Sequence, residues 1–198
     1  MVSKKNNKTR KYTKKRVTKK KCVYNSEDYN DKNGMLTAIW GPGMWHFLHT
    51  MSFNYPSQPS KDQKKQYRNF VLELKHILPC GKCRENLAKN FKKIPLLMKH
   101  MKSRATFSKY LYNLHERVNH QLGKKSGLTY EDVRERYEHF RARCVFPGMQ
   151  KTRKKKDLGC VVPLYGQKAK CVLQIVPEEK KCDTLQIDKK CIKKKLDP

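Results

Sequence analysis

Cys80 and Cys83 stand two residues apart in Pro79-Cys80-Gly81-Lys82-Cys83, a C-x-x-C pair. Two thiols this close can form and break a disulfide, provided one of them is acidic enough to react as a thiolate. The run Asn69–Leu78 before them has helical periodicity and ends at Pro79, and Arg84–Phe91 after them reads as a second helix. The pair therefore falls on a helix's first turn, where unpaired N–H groups and the positive end of the helix dipole favour a thiolate. Lys82 and Arg84 add positive charge there. Zinc would need a second pair at finger or ribbon spacing. The chain has no second C-x-x-C, and His115 and His120 fall on different faces of their helix. A purely structural bridge across so short a loop would constrain little of the unfolded chain. The spacing points to disulfide exchange.

Exchange needs something to accept the electrons. Trp45 and His49 are four apart, so they share a helical face, with Met44 and Leu48 beside them. Tyr112, His115 and Asn119 share a face of a later helix in the same way. Two such faces could enclose a flat ring system. Each residue alone is also accounted for as bundle core.

Five helical stretches can position these groups. The first runs from about Gly41 to Phe53, with Pro42 in its first turn. The second is capped by Ser60 with Gln63 and ends at Leu78. The third begins at the C-x-x-C and ends before Pro95, and the fourth spans about Thr106–Leu122 with Gly123 as its stop. The fifth starts at Thr129, with Asp132 three residues on, and reaches about Cys144. No strand is evident in this region, and the fold class expected is an all-α bundle.

The flanks differ. The chain has 198 residues and a formal net charge of +30. Residues 1–21 hold eleven Lys/Arg and no acid, and residues 145–198 hold fourteen against six, which leaves twenty-two against eleven for residues 22–144. A lysine-rich arm (residues 1–30) is expected to stay disordered and to touch polyanions nonspecifically. It has no apolar core of a secretory signal, and no run in the chain approaches a membrane span. A domain is expected over residues 31–145 and a basic linker over 146–157. Beyond it lies a small β-prone extension, 158–198, with Cys160, Cys171, Cys182 and Cys191. Those cysteines could relay electrons, but are expected rather to staple the extension, a small unit with little core of its own.

Taken together, the motifs resemble a known family. Trp40-Gly41-Pro42-Gly43-Met44-Trp45-His46-Phe47-Leu48-His49-Thr50-Met51, with Tyr55-Pro56 after it, is similar to a signature of the Erv/ALR flavin-linked sulfhydryl oxidases. Cys80-x-x-Cys83 matches their redox pair, and His115-x-x-Val118-Asn119-x-x-Leu122-Gly123-Lys124 resembles a stretch of their FAD site. The resemblance covers about Leu36 to Cys144. It implies a four-helix bundle with a short fifth helix, FAD held in the bundle, and a homodimer. It places Trp40, Trp45, His49, Tyr55, His115, Val118, Asn119, Lys124 and Lys125 as candidate FAD contacts. Cys83 becomes the sulfur beside the flavin, and Cys80 the outer sulfur that substrate thiols attack. The implied activity is oxidation of protein dithiols, with O2 as final acceptor and hydrogen peroxide as product. Two departures stand out: Glu116 where the family has Asn, and no cysteine in Ser126–Val133 for a further bridge. The missing bridge and the Arg-Ala-Arg-Cys ending resemble members from large cytoplasmic DNA viruses, which implies a setting in host cytoplasm or virion. The competing reading is a basic nucleic-acid-binding protein with zinc on its cysteines. It explains the charged flanks but not the Trp/His and His/Asn pairs.

Overall fold

A computed structural model of the chain describes residues 34–143, 160, 162–177, 179–180 and 185–192. The basic arm, the linker, and Cys22, Cys144 and Cys182 lie outside the described residues. Helices α1 (Thr37–Phe53), α2 (Lys61–Ile77), α3 (Gly81–Lys93) and α4 (Arg104–Gln121) form a bundle, and the short α5 (Tyr130–Glu138) packs against α1 and α4. No described helix is long and apolar enough to cross a membrane.

Local chemistry accounts for most boundaries. Ser60 and Gln63 close a reciprocal capping box at the start of α2. Ser103 with Thr106 begins α4 in the same way, and Thr129 with Asp132 begins α5. Gly123 follows α4 at φ +67°, the left-handed conformation that ends helices. A 3-10 turn, Met98–Met101, fills the bend after Pro95.

Three expectations are corrected. Helix α1 starts at Thr37, so Pro42 lies inside it rather than in its first turn. The hydrogen bond lost there is to the carbonyl of exposed Ala38, where water can replace it. Helix α5 stops at Glu138, well short of Cys144. Arg141 turns the chain away by donating to Glu138 and to the Phe53 carbonyl (2.8 Å), and strand β1 (Ala142–Arg143) follows. β1 pairs antiparallel with β2 (Val162–Pro163), with Ala142 opposite Pro163. The extension thus docks a strand onto the domain's end, a long-range pairing with no local signature. Beyond β2 the described extension residues form only a 3-10 turn, Lys189–Cys191, and Cys171 and Cys191 are free thiols. Cys160 is disulfide-bonded. The expected set of four mutual staples is therefore not what forms.

The core is the buried seam of Leu48, Val71, Leu74, Phe107, Leu111 and Leu114, extended by Phe91 and Met101. Each such side chain stabilises the fold by roughly 1.5–3 kcal/mol through burial. One polar knot sits within it. Asn90 on α3 is fully buried, exchanges amide hydrogen bonds with Gln121 of α4 (2.9 Å each way), and accepts from Arg117 Nε at 2.9 Å. This knot ties the helix that carries the cysteines to α4.

Candidate active site

Cys80 is the N-cap of α3, and its sulfur accepts the backbone N–H of Cys83 at 3.2 Å. The two cysteines form a disulfide with Cα atoms 5.1 Å apart. The turn before them is held from two sides. Arg84 donates to the Leu78 carbonyl at 2.6 Å, and the Met35 N–H donates to the Pro79 carbonyl at 2.6 Å. From α1, the Thr37 hydroxyl lies 3.7 Å from Cys83 Sγ, and the Trp40 indole donates to the Met35 carbonyl at 3.1 Å. Cys80 is buried, at 9% exposure, whereas Cys83 is half-buried. An outer sulfur is expected to be the more open one. Gly34 lies against Pro79 and Cys80 so closely that a Cβ on it would sit 2.7 Å from Cys80 Cα.

Helix α1 connects this disulfide to a second group of residues. Thr37, Trp40, Gly41, Met44, Trp45, Leu48 and His49 recur at helical spacing along one face. From Thr37 to His49 that face spans ~18 Å. At its far end Trp45 stacks on His115 of α4, with ring centroids 4.0 Å apart and planes 7° apart. His49 Nε2 and His115 Nδ1 share a hydrogen bond of 2.9 Å. The two faces thus meet directly. A planar ligand would lie against the Trp45–His115 stack, not between its rings.

Both imidazoles are held neutral. Burial lowers His49 to about 3, helped by the charges His115 and His46 would carry. Burial lowers His115 to about 4, against an opposing pull from Glu116. His49 Nδ1 is buried with no hydrogen-bond partner among the described residues. An orphaned ring nitrogen beside an aromatic stack fits a flat, hydrogen-bonding group such as a flavin nucleotide.

The remaining candidates divide. Asn119 donates to Glu116 at 3.0 Å, so the carboxylate that replaces the family's Asn holds Asn119 in place. Val118 is half-buried, and Lys124 and Lys125 are exposed on the loop after α4, where the Lys124 N–H donates to the Asn119 carbonyl. Tyr55 stands apart. It is fully buried against Tyr67 and Phe107, with its hydroxyl on the Met101 carbonyl, and takes no part in the Trp45–His115 cluster. Tyr112 turns toward α5, donating to the Leu128 carbonyl. Sequence reasoning missed His46 and Tyr137. Tyr137 lies 5.3 Å from the His49 ring, its hydroxyl is 3.3 Å from His46 Nδ1, and it stacks on Phe53. The signal was present in the helical spacing of Tyr130, Val133, Tyr137 and Phe140. Among the described residues no group of three or more His, Cys, Asp or Glu is placed to hold a metal.

Fold and site together define a class, a helical bundle in which one face of α1 joins a C-x-x-C disulfide to a cluster of aromatic and histidine rings. Residues 42–138 match the model of the Erv1 / Alr family. A probable FAD-linked sulfhydryl oxidase, R368, of Acanthamoeba polyphaga mimivirus is 37% identical over 104 residues, 52% of this chain and 72% of the relative. A putative FAD-linked sulfhydryl oxidase, 347L, of invertebrate iridescent virus 6 is 32% identical over 90 residues, 43% of this chain and 81% of the relative. The crystal structure of the yeast Erv1 core superposes with a TM-score of 0.48 at 23% identity, covering 58% of this chain and 94% of that one. The chain belongs to the Erv1/Alr family.

Proposed function

We propose that this chain is an FAD-dependent sulfhydryl oxidase that makes disulfide bonds in protein dithiol substrates through Cys80 and Cys83. The observation that carries the reading is the Cys80–Cys83 disulfide at the α3 N-terminus, joined through one face of α1 to the Trp45–His49–His115 cluster. The names of the viral relatives give the same activity.

In this reading a substrate thiolate attacks Cys80 Sγ. A substrate–Cys80 disulfide forms, the Cys80–Cys83 bond breaks, and its electron pair leaves on Cys83 as a thiolate. That thiolate is stabilised by the Thr37 hydroxyl and by the positive end of the α3 dipole. The substrate's second thiolate then attacks its own sulfur in the mixed disulfide, so the substrate leaves oxidised and both active-site cysteines are reduced. FAD, when bound, would supply the two-electron acceptor for this dithiol, with O2 as the final acceptor and hydrogen peroxide as the product. Trp45 and His115 provide the stacking face, and His49 Nδ1 provides the buried hydrogen-bonding atom. His115, Val118, Asn119, Lys124 and Lys125 line the path toward the α4 end. Neutral imidazoles suit this role, since a charge buried there would carry a desolvation cost.

The protein acts as a homodimer through α1 and α2. Between Gly34 and Ser60 the sequence has no Lys, Arg, Asp or Glu, although the chain carries +30. Phe47, 52% exposed, meets the partly exposed Phe70 edge-to-face at 6.1 Å, and Ile39 and Ile77 are exposed with them. An apolar face of this kind on a highly charged protein fits a second copy of itself. The viral relatives favour a role in virion-protein disulfides within host cytoplasm or virion, and the basic arm supplies nonspecific contact with polyanions.

Substituting Cys83 tests the assignment. Cys83→Ser is expected to abolish oxidation of dithiothreitol while FAD stays bound. A Cys83→Ser enzyme that still turns over would refute it.

A further inference from the structure

The segment before α1 is built against the redox turn more tightly than a linker needs to be. Gly34 takes φ +70°, and a Cβ there would lie 2.6 Å from the Pro79 carbonyl oxygen and 2.7 Å from Cys80 Cα. Glycine is required on both counts, conformation and space. The next residue closes the contact from both ends of its peptide: the Met35 N–H donates to Pro79 O at 2.6 Å, and the Met35 carbonyl accepts from the Trp40 indole at 3.1 Å. The side chains of Met35 and Leu36 are not what holds the segment, since they are 69% and 70% exposed. The backbone alone is laid across the cysteine turn. Cys80, against whose backbone it packs, is 9% exposed.

We propose that Gly34–Leu36 is an access strap that shields Cys80 and selects how a substrate thiol reaches the disulfide. The proposal rests on Cys80 being the attacked sulfur. With the strap down, Cys80 Sγ is closed to an incoming thiolate. With the Met35–Pro79 hydrogen bond opened, Cys80 Sγ becomes reachable. The substrate–Cys80 disulfide then forms, the Cys80–Cys83 bond breaks, and the electron pair leaves on Cys83. The Pro79 carbonyl freed by this opening is an acceptor that the N–H of an extended substrate segment can take in place of Met35. The strap thus favours thiols carried on extended chain over those on folded surfaces.

The test uses the full-length, FAD-loaded protein, reduced and freed of reductant without air. It is pulsed with iodoacetamide, and alkylation of Cys80 and Cys83 is counted separately by peptide mass spectrometry. Gly34→Ala forces a Cβ into the Pro79–Cys80 backbone. Met35→Pro removes the N–H that donates to the Pro79 carbonyl and serves if the alanine variant does not fold. Gly127→Ala is the control, because Gly127 has φ +67° but nothing within 4 Å of its would-be Cβ. Both strap variants are expected to raise the Cys80 alkylation rate on the order of tenfold, the scale of one strained backbone residue, with Cys83 unchanged. Gly127→Ala should match wild type. An unchanged Cys80 rate in both folded strap variants, or an equal rise in Gly127→Ala, would overturn the strap. Faster Cys80 alkylation without faster dithiothreitol turnover would instead refute Cys80 as the attacked sulfur and remove the strap from catalysis. That failure is distinct from a failure of the strap geometry.

Discussion

Acidifying the protein should draw stability from its histidine pair at a pH where ordinary carboxylates are still ionised. His49 and His115 share a 2.9 Å hydrogen bond, and burial holds them at about 3 and about 4. In the unfolded chain each returns to the ordinary histidine value of about 6.5. The folded values are lower, so the unfolded state binds more protons below that point. Their contribution is fully present above about pH 6.5 and is lost as pH falls toward the folded values. Between pH 7.5 and pH 5 the unfolded state gains nearly one proton at each site and the folded state almost none. Integrated, this costs about 2 kcal/mol per histidine and about 4 for the pair. His46 and His100 are also lowered by burial and shift stability in the same direction. The informative comparison is therefore with a His49→Asn/His115→Asn variant, which keeps those two. Urea unfolding at both pH values should show the wild type losing about 4 kcal/mol more than the variant. Equal losses in the two proteins would refute the buried, neutral pair.

Other outcomes follow from the packing. Asn90→Ala leaves Arg117 and Gln121 without their buried partner and should cost about 2–3 kcal/mol in urea unfolding, loosening α3 and the cysteines it carries. An Asn90→Ala protein as stable as wild type would show the knot to be dispensable. Phe47→Glu places a charge on the exposed α1–α2 face and should give a monomer in sedimentation with little change in monomer stability. A dimer that persists would move the interface elsewhere.

The parts of this protein legible in its sequence are those fixed by neighbours a turn apart. The Ser60–Gln63 box, the break at Pro95 and the Gly123 stop all use contacts of that range, and each stands where the pattern put it. Trp45 and His49 share their face because four residues make one turn. What depends on distant partners was not legible. The direct stacking of Trp45 on His115 needs α1 and α4 to close, and the His46–Tyr137 contact joins residues 91 apart. The early end of α5 depends on Arg141 reaching the Phe53 carbonyl and on β2 arriving from the extension. Pro42 misled because proline favours a helix's first turn, while α1 tolerates it one turn further in. The close approach of Gly34 to Cys80 is likewise a tertiary contact, made across forty-six positions.

The central claim is that Cys80 and Cys83 deliver substrate electrons to a bound flavin. The visible absorption of the purified protein, followed after adding dithiothreitol in air, tests it most directly. Flavin absorption that bleaches and recovers as oxygen is consumed in the wild type, and stays unbleached in Cys83→Ser, is the predicted result. A protein without flavin colour, or a Cys83→Ser protein that bleaches as fast as wild type, would contradict the account.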